Sequence, residues 1–536
     1  MSVQATGQCL CGAVRYQIRG PLRHVLVCHC NECRRWSGHQ FAATAARRED
    51  LALVEERGLA WIESPASDAS ALRGFCRECG SALFWEAPGR DTISIAAGSV
   101  DAPTGLHVAG HVYVPQAGDY YELPDDGLPR SERLPDSSVL PASSRSMTAA
   151  SLERLGTETA FEVLARAKAL EAQGRRVIHL EIGEPDFDTP AHIVEAAGQA
   201  LRDGHTHYCP APGLPVLREA CAEHLSRHRG LAVDPANVLV APGAKPFLFF
   251  GILATCEPGD EVVYPNPGFP IYESVIRWAG AIPVPLPLVE ERGFAFSADD
   301  LAERLTPRTK LVILNSPANP TGGIVDRTLN AQIAGLLAEH GCWIVSDEVY
   351  SELIYDAAHD SIAAHEGLLG RTILLDSFSK TFAMTGFRLG YAAVPAPLVE
   401  PITRLLINSV SCTPPAVQVA GVAALTGPHD EVQAMLAEFR RRRDAVVAGL
   451  NALPGVSCVT PRGAFYAFPN VQATGQDERQ LADLLLDTAG VAVLAGTAFG
   501  EHGEGYLRLS YANSLANIEE ALHKMRTVLE TNVQGP

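Results

Sequence analysis

Lys380 lies in Ser377-Phe378-Ser379-Lys380-Thr381, directly after the apolar run Thr372-Ile373-Leu374-Leu375. The run reads as a buried strand, so the lysine sits just past a strand's C-terminal end, where open α/β sheets place their ligands. Arg388 follows eight residues later. A lysine amine can join an aldehyde as a Schiff base, and an arginine can hold a phosphate on the same molecule. Pyridoxal phosphate carries both groups. A solvated loop lysine is the plain alternative, and the other strand ends decide between them.

Asn237-Val238-Leu239-Val240 ends at Pro242-Gly243-Ala244-Lys245, and an apolar helix follows. Free backbone N–H groups at that helix start can bind a phosphate, and the glycine allows close approach. The run 310–314 leads to Asn319-Pro320-Thr321-Gly322, and the run 343–346 leads to Asp347-Glu348-Val349-Tyr350. A carboxylate such as Asp347 can keep a pyridine nitrogen protonated, so that the ring draws electrons. Tyr350 and Asn319 can hydrogen-bond the ring's phenolic oxygen. Phe269, in Asn266-Pro267-Gly268-Phe269-Pro270, can stack on the ring face. Singly, Asp347 could cap a helix and Phe269 could fill core. Their recurrence at four or five strand ends favours the cofactor.

Thirteen cysteines are present, and seven precede residue 80 in close sets: Cys9/Cys11, Cys28/Cys30/Cys33 and Cys76/Cys79. With no basic-then-apolar leader, close-set thiols point to metal before disulfides. Cys9, Cys11, Cys76 and Cys79 supply four thiolates, a closed tetrahedral zinc site. Cys28, Cys30 and Cys33 supply three and leave a position open, as catalytic zinc requires. Two zinc ions per chain are therefore expected. His29, between two cysteines on an extended stretch, faces away from that metal. The six scattered cysteines are core residues.

A chain of 536 residues exceeds one ordinary core, so two or three domains are expected. Residues 1–122 show short alternating runs such as Ala13-Val14-Arg15-Tyr16-Gln17-Ile18, a small all-β pattern. Residues 123–146 carry prolines, serines and charges without periodicity and form a linker. From 147 to 536 helical and strand patterns alternate, which is α/β with a largely parallel sheet. The net charge of −19 argues against a nucleic-acid partner. The dense basic run Arg440-Arg441-Arg442-Arg443 falls in a helical pattern and reads as a solvated face. No apolar run approaches a membrane span, and the expected location is the cytoplasm.

Two families enter on these motifs. Gly7-Gln8-Cys9-Leu10-Cys11-Gly12, Cys28-His29-Cys30-Asn31-Glu32-Cys33 and Phe75-Cys76-Arg77-Glu78-Cys79-Gly80 resemble the glutathione-dependent formaldehyde-activating enzyme family, over about the first quarter of the chain. That resemblance implies binding of a thiol adduct of an aldehyde at the open zinc. A purely structural cysteine scaffold is the alternative. Asn319-Pro320-Thr321-Gly322, Asp347-Glu348-Val349-Tyr350 and Ser377 to Lys380 through Arg388-Leu389-Gly390-Tyr391 resemble class I/II aminotransferases of pyridoxal-phosphate fold type I, over about 150–530. The fold this implies is a large domain at about 191–405 and a small domain from 147–190 and 406–536. The resemblance makes Lys380 the cofactor-binding lysine and proton shuttle. Asp347 meets the ring nitrogen, and Tyr350 and Asn319 meet the phenolic oxygen. Ser377, Arg388 and the Gly243-Ala244-Lys245 turn hold the phosphate.

The same resemblance brings Tyr208 to the phosphate from a second subunit, hence a homodimer. Arg508, in Tyr506-Leu507-Arg508-Leu509-Ser510, clamps the substrate α-carboxylate, with Gly183 closing over it. In some similar enzymes a lysine at the Lys245 position contacts the distal carboxylate of an acidic substrate. The activity implied is amino transfer between an L-amino acid and a 2-oxo acid. Carbon–sulfur lyases share the fold and the lysine and are the runner-up, ahead of cyclases acting on an S-adenosyl substrate and decarboxylases. A non-catalytic zinc/pyridoxal-phosphate regulatory or scaffolding protein is the third reading. The sequence leaves the amino donor open.

Overall fold

The computed structural model describes residues 5–64, 70–133 and 150–532. The chain divides into two compact units, Met1–Ala150 and Ser151–Pro536.

The front unit is built on two sheets. Ala5–Gln8, Arg15–Ile18 and Leu51–Glu55 make a three-stranded antiparallel sheet. An eight-stranded sheet runs in the order Arg130–Ser131, Val108–Val112, Arg23–Cys28, Phe41–Arg47, Thr92–Ala96, Ala82–Glu86, Leu72–Cys76 and Leu59–Glu63. Alternation drives the pairing: Tyr16, Ile18, Ile93 and Ile95 are buried at every second position and form one core with Leu83 and Cys76. The single α-helix among the described residues of this unit is Asn31–Ser37.

The expected boundary at residue 122 is corrected. Arg130–Ser131 pairs in parallel with Val108–Val112, His111 against Arg130, so chain assigned to the 123–146 linker belongs to the front sheet. Gly110 permits this, because a Cβ there would lie 2.9 Å from the Pro129 carbonyl oxygen. Buried His111 also takes its partner from this stretch, with Nε2 3.0 Å from Asp126 Oδ2. The rest of the expected linker, 134–146, lies outside the described residues.

The second unit centres on a seven-stranded sheet ordered Val238–Ala241, Gly390–Ala393, Thr372–Ser377, Trp343–Asp347, Thr309–Asn315, Glu261–Asn266 and Ile282–Pro287. All neighbours run parallel except Gly390–Ala393, which is antiparallel to both of its partners. The inner strands are buried along nearly their whole length, with Lys310 exposed and Trp343 half-buried near their starts, as a sheet covered on both faces requires. A smaller antiparallel sheet joins Tyr466–Ala467, Leu507–Ser510 and Leu494–Ala495. Ile178–His179 pairs in parallel with Val491–Ala492. Ile178 and Leu180 share a core with Phe439, Phe465 and Tyr511, so the segment before Gly183 is anchored on chain from far along the sequence.

The solvated-face expectation for the arginine run is also corrected. In the helix Asp430–Asn451, Arg442 and Arg443 are only 6% and 5% exposed. Arg442 Nη1 meets Asp186 Oδ1 at 2.6 Å and Arg443 Nη1 meets Asp356 Oδ2 at 2.5 Å. Four consecutive helical residues point all round the axis, so a run of four cannot stay on one face. Among the described residues, no helix is long and apolar enough to cross a membrane.

Candidate functional site

Parallel strands bring their C-terminal ends to one edge of the large sheet. Register then sets the residues side by side: Asn315 is opposite Asp347, Asp347 is opposite Leu375, and Ser377 is opposite Gly390, which in turn faces Ala241. The antiparallel strand begins at this edge, so Arg388 arrives just before it. A cavity of about 530 Å³ opens here, and Lys380, Asp347, Tyr350, Arg388 and Arg508 all line it.

Lys380 stands on the helical turn Phe378–Thr381, capped by Ser377, whose Oγ accepts from the Ser379 N–H at 3.1 Å. Its Nζ donates to the Gly183 carbonyl at 2.6 Å. Burial lowers its pKa to about 8. Asp347 accepts from the Tyr272 hydroxyl at 2.6 Å, and burial pushes its carboxyl up to about 6. Among the described residues its partners are the Tyr272 hydroxyl and the Val349 N–H, neither a cation, and a protonated ring nitrogen suits such a carboxylate. The Tyr350 hydroxyl lies 2.7 Å from that of Tyr466.

The phosphate-binding candidates gather at the other end. The helix Lys245–Thr255 starts at Ala244, which provides no side-chain cap, so its first N–H groups are available to an anion. Gly243 has φ +90, and a Cβ there would meet Arg388 Nη2 at 2.5 Å, so only glycine lets the guanidinium lie against the turn. Phe269 flanks the cavity beside Tyr272, ring centroids 5.8 Å apart. Arg508 is 3% exposed. Its Nη2 donates to the Glu181 carbonyl, Nη1 stands 3.5 Å from Asn319 Oδ1, and Nε is buried with no partner. A buried arginine with an unused donor in a cavity fits an incoming carboxylate. The donor set thus fits pyridoxal phosphate at each end.

Not every predicted residue converges. Tyr208 is 89% exposed and does not line the cavity of its own chain. Lys245 lines the cavity but is ion-paired with Glu158, its Nζ 5.3 Å from the Phe269 ring centroid. Sequence reasoning passed over Glu158, Tyr272 and Tyr466. None sits in a strand-end motif; Tyr272, one helical turn beyond Phe269, offered the only positional hint.

In the front unit the cysteines fall into two groups, Cys9/Cys11/Cys76/Cys79 and Cys28/Cys30/Cys33, with the sulfurs of each within 4.8 Å of one another. Cys11 Sγ is 3.6 Å from that of Cys9 and 3.7 Å from that of Cys76. Val14 N–H donates to Cys9 Sγ at 3.2 Å, a bond that favours thiolate. In the second group Cys28 and Cys33 pull the Cys30 thiol far down. Buried Arg73 brings Nη1 and Nη2 to 3.9 Å from Cys33 Sγ. His29 takes no part, since its nitrogens lie 2.8 Å from Tyr121 Oη and 2.9 Å from His111 Nδ1. Four thiols in one group and three in the other are donor sets that could hold a metal ion such as zinc.

The fold and the lysine-centred cavity define an α/β enzyme of the pyridoxal-phosphate-dependent class. Residues 175–525 match the family of class I and II aminotransferases, and residues 4–116 match the glutathione-dependent formaldehyde-activating enzyme family. The chain belongs to the class I and II aminotransferases and is a pyridoxal-phosphate-dependent transaminase with an N-terminal small all-β domain. It is 43% identical to an aspartate aminotransferase of Pyrococcus abyssi, covering 66% of this chain and 92% of that protein. It is 41% identical to aromatic-amino-acid aminotransferase 2 of Thermococcus litoralis, covering 67% and 93%. The solved aspartate aminotransferase of Rhizobium meliloti superposes with a TM-score of 0.69 at 35% identity, covering 72% of this chain and 98% of that one.

Proposed function

We propose that the second unit transfers an amino group from an L-amino acid to a 2-oxo acid, with Arg508 holding the α-carboxylate and Lys380 Nζ moving the α-proton. The observation that carries this reading is the buried Arg508 guanidinium, with Nε unpartnered, lining the same cavity as Lys380. When bound, pyridoxal phosphate supplies an aldehyde for amine exchange and a ring that draws electrons from the α-carbon.

The chain's own residues do the rest. Ser377, Arg388 and the Gly243-Ala244-Lys245 turn hold the phosphate. Asp347 keeps the ring nitrogen protonated, and the Tyr272 hydroxyl fixes its carboxylate. Tyr350 and Asn319 hydrogen-bond the phenolic oxygen, and Phe269 covers the ring. Gly183 orients Lys380 through its carbonyl, at 2.6 Å in this structure. With its pKa lowered by burial to about 8, Nζ is neutral often enough near pH 7 to take the α-proton. The small domain of 147–190 and 406–536 carries Gly183 and Arg508 and closes them over the substrate.

The reading includes a cytoplasmic homodimer. Tyr208, Leu201 and Ile407 stand exposed, 89%, 57% and 53%, as surface awaiting a second copy does. All thirteen cysteines are free thiols, which suits a reducing compartment. The front unit holds two zinc ions, structural at Cys9/Cys11/Cys76/Cys79 and open at Cys28/Cys30/Cys33.

The test is a donor panel run with and without a 2-oxo acid. A transaminase forms the new amino acid one-for-one and releases no ammonia. Ammonia released without an acceptor would make the protein a lyase. Arg508→Gln should lower kcat/KM about a hundredfold or more.

A further inference from the structure

A third group of ligating side chains lies outside both sites. His224 and His228 stand four residues apart on the helix Pro215–Arg229, so both rings leave one helix face. Their centroids are 4.3 Å apart. Glu352 reaches them from the turn beyond the strand Trp343–Asp347, its Oε1 2.8 Å from His224 Nε2. One ligating atom from each residue lies within 4.8 Å of the others. His224 is buried, Glu352 is half-buried and His228 is exposed, so the cluster is built into the fold and open on one side.

A buried polar network lies behind the cluster. Buried Arg229 is divided between Glu348, at 2.7 Å, and Asp376, at 2.5 Å. Arg229 also donates to Ser351 Oγ, whereas Glu352 is paired with His224. Glu348 also meets His359 at 2.8 Å and accepts from the Ser346 and Ser361 hydroxyls, and Asp376 accepts from Tyr391. Glu352 and Asp376 repel one another across this desolvated region. His224 Nδ1 is moreover buried with no hydrogen-bond partner.

We propose that His224, His228 and Glu352 bind a transition-metal dication, for which zinc is the fitting probe. Two imidazole nitrogens and one carboxylate suit that class of ion, and three protein ligands leave the exposed side to water. The ion takes the place of the hydrogen between His224 Nε2 and Glu352, and the neutral imidazole then carries its one proton on Nδ1. The site shares no ligand with the cysteine groups and no residue with the cavity around Lys380.

The experiment uses the full chain, dialysed against Zn2+ buffered at micromolar free concentration and analysed for bound metal. Wild type should hold one zinc per chain more than His228→Ala, a surface change that spares the fold. Added Zn2+ should raise the melting temperature of the second unit in wild type and not in His228→Ala. Glu352→Gln should weaken this zinc about tenfold or more. Equal zinc content and equal thermal response in wild type and His228→Ala would overturn the proposal.

Discussion

At the edge of the large sheet, Asn315, Asp347 and Ser377 end strands whose backbones are hydrogen-bonded in register, and Lys380 is fixed by a helical turn and the Gly183 carbonyl. Strand register sets where these residues stand. In the front unit Cys9 follows a short strand, Cys11 and Cys79 sit in turns, and Cys76 ends another strand. The sulfurs there touch mainly one another and a few N–H groups. Four crowded thiols are poor neighbours without a cation, so on the proposed zinc reading the ion holds these chain segments together. The first site is organised by its fold; the second, as proposed, organises its fold. Within the front unit the contrast recurs: Cys9 and Cys76 join segments far apart in sequence, whereas Cys28, Cys30 and Cys33 lie in one short stretch beside Arg73.

The largest effect should come from Cys76→Ser. A structural zinc site contributes about 10 kcal/mol or more to folding, so loss of this ligand should unfold the front unit, read by proteolysis and circular dichroism. Cys30→Ser should lose only the second zinc and keep the fold, read by metal analysis. Equal loss of structure in both would erase the distinction between the two groups. Transamination should survive both changes, because Lys380, Asp347, Arg388 and Arg508 all belong to the unit Ser151–Pro536.

A second break point is pH. Proton abstraction needs neutral Lys380, whose pKa burial lowers to about 8. Activity should rise with pH through that value and fall about tenfold per unit below it. A flat profile from pH 6 to about 8 would remove proton transfer at Nζ from the slow step.

The smallest effect concerns donor choice. Lys245 is paired with Glu158, so a substrate's distal carboxylate must compete for it. Glu158→Gln should favour glutamate over an apolar donor, and Lys245→Ala should do the reverse. Each shift should be no more than about fivefold, since the pair is partly exposed. Unchanged preference in both variants would take Lys245 out of substrate selection.

Much of this was legible in the sequence because chemistry sits where strands stop. A buried strand followed by Asp347 or Lys380 is a local pattern, and parallel pairing brings such ends together. Cysteine spacing likewise announced the two thiol groups. Partners supplied by tertiary packing were not legible. Tyr272 and Tyr466 look like core aromatics until the fold brings them against Asp347 and Tyr350. Arg442 and Arg443 look solvated until Asp186 and Asp356 are brought to them. The strand at Arg130–Ser131 is two residues long in a proline-rich stretch and is defined only by its partner.

The central claim is that Lys380, fixed by the fold, is the lysine that holds the cofactor. Purified full-length protein, loaded with pyridoxal phosphate, should absorb in the visible. Borohydride reduction followed by peptide mass spectrometry should place the reduced adduct on Lys380, with none in Lys380→Ala. An adduct on another lysine, or no adduct in wild type, would contradict the account.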